Sequence, residues 1–232
     1  MYLTLEQVKA YKTPIQRSPE WFSLRSQYLT SSDLGTVLGK NKYKTSEELF
    51  NEKTGISVKD FTENEAIKHG VKYESEAIDM YCKVLGRTCY EIGLVPFDTF
   101  QDKDKNGLDC SFLAGSVDGI TVKDTVEDTE EDTEEEGLNI IEVKCPLFRR
   151  IKYGVIPDYY YPQVQMNIHI LNVRYGDYVE YVPTHAQGNN SPLLNIVRVY
   201  RDDDWLRSVY PELKSFWNSV VEERRQQQQK AT

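Results

Sequence analysis

Glu142 and Lys144 close the apolar run Asn139-Ile140-Ile141-Glu142-Val143-Lys144-Cys145-Pro146, and their spacing aims a carboxylate and an ammonium at one place. In a β-strand residues two apart share a face, so the pair projects together while Val143 points away. That combination suits a metal ligand standing beside a group that handles a water molecule. Composition alone supplies a Glu-x-Lys triplet about once or twice in a chain of this length, mostly on solvated strand edges or helices. Two neighbours raise its meaning. Ile140 and Ile141 mark a partly buried strand, and Pro146 stops it just after the charged pair, at the strand end where open α/β sheets keep their sites.

Two further acids stand out by context. Glu74 falls on a helical stripe with Ala66, Gly70, Ala77 and Tyr81, and Asp118 lies in Leu113-Ala114-Gly115-Ser116-Val117-Asp118-Gly119-Ile120. Each has an ordinary reading as well: Glu74 as an exposed acid, Asp118-Gly119 as a hairpin turn, Glu142 as the partner of Lys144. Carboxylates brought together repel and raise one another's pKa unless a cation neutralises them, so such a cluster is favourable mainly around a divalent metal. An all-oxygen donor set with no His or Cys suits Mg²⁺ or Mn²⁺ rather than zinc. A site of that kind orients a phosphodiester, polarises its phosphoryl oxygen and activates water, which points to hydrolysis of a nucleic-acid backbone.

The elements that must position these groups are legible in outline. Ser18-Pro19-Glu20-Trp21 reads as a helix start carrying Trp21, Leu24 and Arg25, and Thr30-Ser31-Ser32-Asp33 offers caps for a short helix that stops near Gly39. A long helix is expected over residues 63–85, strands over 88–96, 112–122, 138–144, 178–183 and 195–200, and a last helix over 202–225. Gln163 to Ile170 alternates polar and apolar residues, which by pattern alone is a strand, whereas Pro162 suits the first turn of a helix. Helices before the strands and after them predict a mixed α/β layer structure. We expect one domain over residues 1–225, with an acidic insertion at 124–136 and a flexible tail at 226–232.

The net charge of −9 argues superficially against a nucleic-acid partner, but it is local. Asp124 to Glu136 contains nine acids and no base, and with that run set aside acidic and basic residues balance at 28 each. The run reads as a solvated insertion, or alternatively as a decoy for nucleic acid. Cys82, Cys89, Cys110 and Cys145 form no Cys-x-x-Cys, and His69, His169 and His185 form no His-x-x-x-His, which disfavours structural zinc and a disulfide framework. With no long apolar stretch, a soluble intracellular protein is expected.

Several segments, taken in order, resemble one family. Trp21-Phe22-Ser23-Leu24-Arg25, Leu29 to Asp33, Gly70 to Glu74, Gly115 to Gly119, Glu142 to Pro146 and Tyr161 to Gln165 are similar to the phage lambda exonuclease family, the YqaJ-type viral recombinase nucleases with a PD-(D/E)xK core. The resemblance spans roughly residues 17–171 and implies a restriction-endonuclease-like fold, a central mixed β-sheet flanked by α-helices. It implies Asp118 and Glu142 as metal ligands together with the carbonyl of Val143, and Glu74 in support of that site. Lys144 and Gln163 would position or activate the attacking water, and Arg25, Ser32 and Ser116 would grip a terminal 5′-phosphate. An arginine fork and a helix N-terminus suit a phosphate on physical grounds too, although Arg25 also reads as a surface ion pair and Ser32 as a plain cap. The family places Gln163 on a helix, and that placement is the one expected here.

The implied activity is a Mg²⁺-dependent 5′→3′ exonuclease, with two ions and Mn²⁺ as a substitute, acting on double-stranded DNA ends. It would release 5′-mononucleotides and leave 3′ single-stranded tails for recombination. An endonuclease or RNase of the same fold, of the viral alkaline nuclease type, and a catalytically inactive DNA-end-binding scaffold are the alternatives. Relatives imply a virus- or phage-encoded protein in the cytoplasm or nucleus of a host, a single-strand annealing recombinase as partner, and a ring trimer or a monomer. Tyr159-Tyr160-Tyr161, beside Gln163, is expected either in the core or stacked on bases at a duplex end.

Overall fold

The computed structural model describes residues 2–57, 64–101, 107–124, 137–184 and 186–230. In chain order the elements are α1 (Leu5–Ala10), α2 (Pro19–Ser26), β1 (Leu29–Thr30), α3 (Leu34–Val37), α4 (Ser46–Thr54), α5 (Glu65–Leu85), β2 (Arg87–Tyr90) and β3 (Val95–Pro96). They continue with β4 (Leu113–Gly115), β5 (Gly119–Lys123), β6 (Asn139–Lys144), α6 (Tyr161–Ile170), β7 (Tyr175–Val182), β8 (Leu193–Tyr200) and α7 (Asp203–Lys230). Five strands form a mixed sheet in the order β2-β5-β6-β7-β8, parallel only between β6 and β7, and β1-β4-β3 form a smaller sheet.

The pleat of β6 decides which helix each residue meets. Ile141, Val143 and Cys145 face α5, where they pack with Ala77, Tyr81, Val179 and Tyr181. Ile140 joins the larger core on the opposite face, with Val164, Met166 and Ile168 of α6. A helix on each face thus covers the central strand, as the expected fold class requires. Tyr81 donates to Asp177 (2.6 Å) beneath α5, and Asn139 donates to the same carboxylate (3.2 Å), so the polar groups caught between helix and sheet satisfy one another.

Three expectations need correction. The run over 112–122 is two strands in different sheets, with Ser116 to Asp118 turning the corner between them, and the run over 88–96 likewise splits into β2 and β3. The last helix does not end at Arg225 but passes through the glutamine tract to Lys230. Gln226 and Gln227 donate one turn back to Glu222 and Glu223 (3.1 Å each), and these i, i+4 pairs extend a helix that glutamine's propensity already favours. The capping boxes that start α1 (Thr4 with Gln7) and α4 (Thr45 with Glu48) fix two helices that the apolar pattern does not announce. Residues 125–136 of the acidic run lie outside the described residues, while Asp124 is held at the strand end by Thr88 (2.6 Å).

The segment from Gln163 to Ile170 is helical, and its polar alternation has a physical reason. α6 is buried on nearly every side, so its polar residues meet partners instead of water. Gln165 donates to the Tyr200 carbonyl (2.7 Å), and the His169 imidazole Nε2 bonds the Asp202 carbonyl (3.0 Å). Period-two polarity therefore marks paired polar groups inside the core, not a solvated face.

Close backbone contact fixes α6 and its approach against the N-terminal half. A Cβ built on Gly35 would lie 2.5 Å from the Tyr159 carbonyl oxygen, a contact that only a backbone shift can relieve. Gly35→Ala is expected to destabilise the protein by about 1–3 kcal/mol. Urea unfolding should show a lower midpoint with unchanged slope, and a loss below about 0.5 kcal/mol would contradict the close approach.

Candidate active site

Antiparallel pairing of β5 with β6 sets Gly119 opposite Ile141, so Asp118, one residue before β5, arrives beside Glu142 at the end of β6. The Asp118 amide donates to the Ile141 carbonyl (3.3 Å), and the Val143 amide donates to the Asp118 carboxylate (2.7 Å). A strand residue sends its N–H and C=O to the same side, so the Val143 carbonyl also leaves β6 on the Asp118 edge. Glu142, only 1% exposed, is held on three sides. Lys144 Nζ and Gln163 Nε2 both donate to Oε1 (2.5 Å each), and Asn167 Nδ2 donates to Oε2 (3.1 Å). Gly115 leaves room for that last amide, since a Cβ there would stand 2.4 Å from Asn167 Oδ1.

Glu74 enters from α5. Only the C-terminal half of this helix is buried, at Ala77 and Tyr81; its first turns run past the sheet, and Ala66, expected on the packed stripe, is exposed. Those projecting turns form one wall of a cleft of about 620 Å³ whose lining includes Glu74, Lys144, Phe148, Tyr159 and Tyr160. Lys144 Nζ lies 5.2 Å from the Tyr160 ring centre. Tyr159 and Tyr160 therefore face the cleft, while Tyr161 packs edge-on against Trp205. Arg17 pairs with Glu74 (3.2 Å) at the cleft mouth.

Of the three residues expected to grip a phosphate, Arg25 and Ser32 are bonded to each other. Ser18 caps α2 through the Trp21 amide (3.1 Å), and α2 carries Arg25 to Ser32, where Nη2 donates to the hydroxyl (2.5 Å). Asp33 anchors the turn through the Thr30 amide and hydroxyl (3.1 and 2.7 Å) and pairs with Lys53 (2.8 Å). Burial opposes ionisation of Asp33, yet Lys53 and Arg25 hold its carboxyl well below the usual range. Parallel pairing of β1 with β4 sets Ser32 and Ser116 just past the same end of the two strands, but the Ser116 hydroxyl accepts from Gln16 (2.6 Å). Arg25 and Ser32 are in contact, whereas Ser116 is bonded to Gln16.

The charges of this site are not in balance. Burial pushes Glu142 up to about 7, with Lys144 opposing and Asp118 reinforcing the rise. Burial also raises Asp118 against the pull of Lys144, and burial with Asp118 raises Glu74. For Lys144 burial favours the neutral amine, but Glu142 and Asp118 outweigh it and keep the ammonium charged. A rise from 4.5 to about 7 corresponds to roughly 3 kcal/mol against the charged carboxylate. Among the described residues no three His, Cys, Asp or Glu side chains form a ready-made coordination shell. The donor chemistry nevertheless fits a hard cation: crowded, partly neutralised carboxylates with a backbone carbonyl directed to the same edge.

Of the residues read from the sequence, Asp118, Glu142, Val143, Lys144 and Gln163 meet at one point, and Glu74 flanks them through the cleft. Asn167, Arg17 and Gln16 were missed. Asn167 follows Gln163 by four residues, so once α6 is helical the two amides share a face toward Glu142. Arg17 and Gln16 carry no such signal, because the loop before α2 has no periodicity.

The sequence profile of the YqaJ-like viral recombinase domain matches residues 20–174. An uncharacterized protein of Acanthamoeba polyphaga mimivirus is 26% identical over 171 residues, covering 71% of this chain and 29% of that protein. A protein of African swine fever virus, Badajoz strain, is 26% identical over 180 residues, covering 75% of this chain and 52% of that one. The chain thus spans about half or less of these viral relatives. Among solved structures, an alkaline exonuclease from Laribacter hongkongensis superposes with a TM-score of 0.67 at 23% identity, covering 92% of this chain and 98% of its own. The same enzyme in complex with dAMP gives a TM-score of 0.68 at 22% identity over 92% and 98% of the two chains. The chain shares the fold of these exonucleases. No helix among the described residues is long and apolar enough to cross a membrane.

The raised Glu142 carboxyl has a stability consequence of definite sign. Between pH 4.5 and about 7 native Glu142 keeps a proton that the unfolded chain has lost, so its stabilising contribution is full below 4.5 and gone above about 7. His169, which burial holds down at about 4, acts in the opposite direction, so the Glu142 part must be isolated by difference. In cation-free buffer Glu142→Gln should gain stability relative to the parent as pH rises through this window. Unfolding free energies measured at several pH values test it, and a pH-independent difference would contradict it.

Proposed function

We propose the following reading for this chain, which belongs to the YqaJ-like viral recombinase domain family: a divalent-cation-dependent 5′→3′ exonuclease on double-stranded DNA ends. It releases 5′-mononucleotides and leaves 3′ single-stranded tails for recombination. One observation carries it. Asp118, Glu142 and Lys144 converge at the end of β6, and the same fold holds Arg25 in contact with Ser32 just past β1, a pair whose chemistry suits a terminal phosphate. A phosphodiesterase site with a fixed stop for a terminal phosphate measures from an end, and that converts backbone hydrolysis into exonucleolysis.

Asp118, Glu142 and the Val143 carbonyl would hold the cation, Mg²⁺ with Mn²⁺ as substitute, and Glu74 would support them from α5. Bound there, such a cation would neutralise the carboxylates, polarise a phosphoryl oxygen and lower the pKa of water. The remaining work belongs to the side chains. Lys144, an ammonium beside Glu142 and Asp118, positions or activates the attacking water and meets the negative charge that develops on the phosphoryl oxygens. Gln163, already donating toward Glu142, fixes the same water from α6. Asn167 locks the second oxygen of Glu142, keeping the carboxylate in one rotamer. Arg25 meets the terminal phosphate with its fork, aided by the Ser32 and Ser116 hydroxyls. Tyr159 and Tyr160, on the cleft wall, offer rings to the bases at the duplex end.

Linear duplexes labelled at either end, with 5′-phosphate or 5′-hydroxyl termini, test polarity, end preference and cation dependence together. The parent should release label from 5′-phosphorylated ends in Mg²⁺ and none in chelator. Glu142→Ala should be inactive, and Arg25→Ala should lower the preference for phosphate over hydroxyl about tenfold or more. Undiminished degradation by Glu142→Ala, or cutting of a closed circle as fast as a linear duplex, contradicts the reading.

A further inference from the structure

Arg17 has no part in the reaction above, yet it contacts Glu74 beside the carboxylates. It belongs to the strap from Tyr11 to Ser18, which joins α1 to α2 and is tied down along its length. Tyr11 and Thr13 donate to the Leu94 carbonyl (3.0 and 3.4 Å), Gln16 donates to Ser116 (2.6 Å), and Ser18 caps α2. Between those last two anchors Arg17 adopts a φ of 68°, a left-handed conformation that a residue with a Cβ seldom takes. Its guanidinium reaches Glu74 (3.2 Å), and the side chain remains 51% exposed. Arg17 and Glu74 also line both clefts at the site: the one bounded by α5 and Lys144, and a second of about 480 Å³ bounded by the strap, Val117 and Asp118.

Position and charge together suggest a use. The same guanidinium stands beside the acidic groups and next to the strap residue that bonds Ser116. An ion pair this exposed is weak, so its hold on Glu74 is easily exchanged. A cation settling among the carboxylates removes the attraction, and an arginine fork released there suits the non-bridging oxygens of a phosphodiester. We propose that Arg17 is a further phosphate-binding residue: it neutralises Glu74 while the carboxylates hold no cation, and turns to the backbone phosphate of the bound strand once they do. The phosphate half rests on the nuclease reading of the preceding subsection; the competition with the cation does not.

Two substitutions in the full chain test this. Arg17→Gly removes the guanidinium and also relaxes the left-handed backbone, so the strap is retained, while Arg17→Lys keeps the charge without the fork. Mn²⁺ binding without DNA is read by electron paramagnetic resonance, and binding of a 5′-phosphorylated duplex end in Ca²⁺ by fluorescence anisotropy. Arg17→Gly should bind Mn²⁺ about two- to fivefold more tightly, because a competing cation is gone. It should bind the duplex about tenfold more weakly, with Arg17→Lys between it and the parent. Unchanged or weaker Mn²⁺ binding overturns the competition, and unchanged duplex binding overturns the phosphate contact. A parent that binds Mn²⁺ yet neither binds nor cuts duplex refutes the nuclease reading and the phosphate half with it. A parent that cuts, alongside an Arg17→Gly that binds duplex equally well, refutes the Arg17 assignment alone.

Discussion

A carboxylate buried at the end of the central strand costs several kcal/mol unless it is hydrogen-bonded and neutralised, and Glu142 imposes that condition on its whole surroundings. Lys144 supplies charge from the same strand face, while Gln163 and Asn167 supply amides from α6. The two amides can do so only if α6 is a helix in close contact with β6. Gly115 must lack a side chain for Asn167 to reach its partner. Even then the balance is incomplete, since Glu142 remains raised and Asp118 and Glu74 are raised with it. The proposed cation would supply the positive charge that this site lacks.

The rest of the architecture follows from delivering other groups to that point. The corner at Ser116 to Asp118 passes the chain from the small sheet to the large one, so one turn brings Asp118 to Glu142 and Ser116 to the edge shared with β1. α5 is longer than the face it covers, and the excess becomes a cleft wall that places Glu74. The strap before α2 closes the remaining side through Gln16 and Arg17. Each of these devices joins groups that are distant in sequence, and β6 is where they meet.

Much of this was legible in the residues, for identifiable reasons. The shared face of Glu142 and Lys144 follows from the period of a strand, the start of α2 from Pro19 in its first turn, and the stop after α3 from Gly39, which takes a left-handed conformation. Asp118 was recognisable as a site residue only beside Glu142 and Lys144, since Asp-Gly alone is a turn signal. What stayed hidden depended on tertiary structure. The polar alternation of α6 imitates a strand because its polar residues are buried and paired; Pro162 and the family resemblance favour the helix, but the partners of those polar groups lie far off in sequence. Arg17 lies in a loop whose path is set by bonds to Leu94 and Ser116, far away in sequence. The helical glutamine tract was mistaken for a tail because its composition suggests solvation, whereas the i, i+4 pairs with Glu222 and Glu223 continue the helix.

The central claim is that Asp118 and Glu142 together hold a divalent cation at the end of β6. Crystals soaked in Mn²⁺ and measured at a wavelength where manganese scatters anomalously test it directly. Anomalous density in contact with both carboxylates and the Val143 carbonyl, lost in Asp118→Asn, is the result expected. Manganese absent from that position in the parent, or bound there equally in Asp118→Asn, would contradict it.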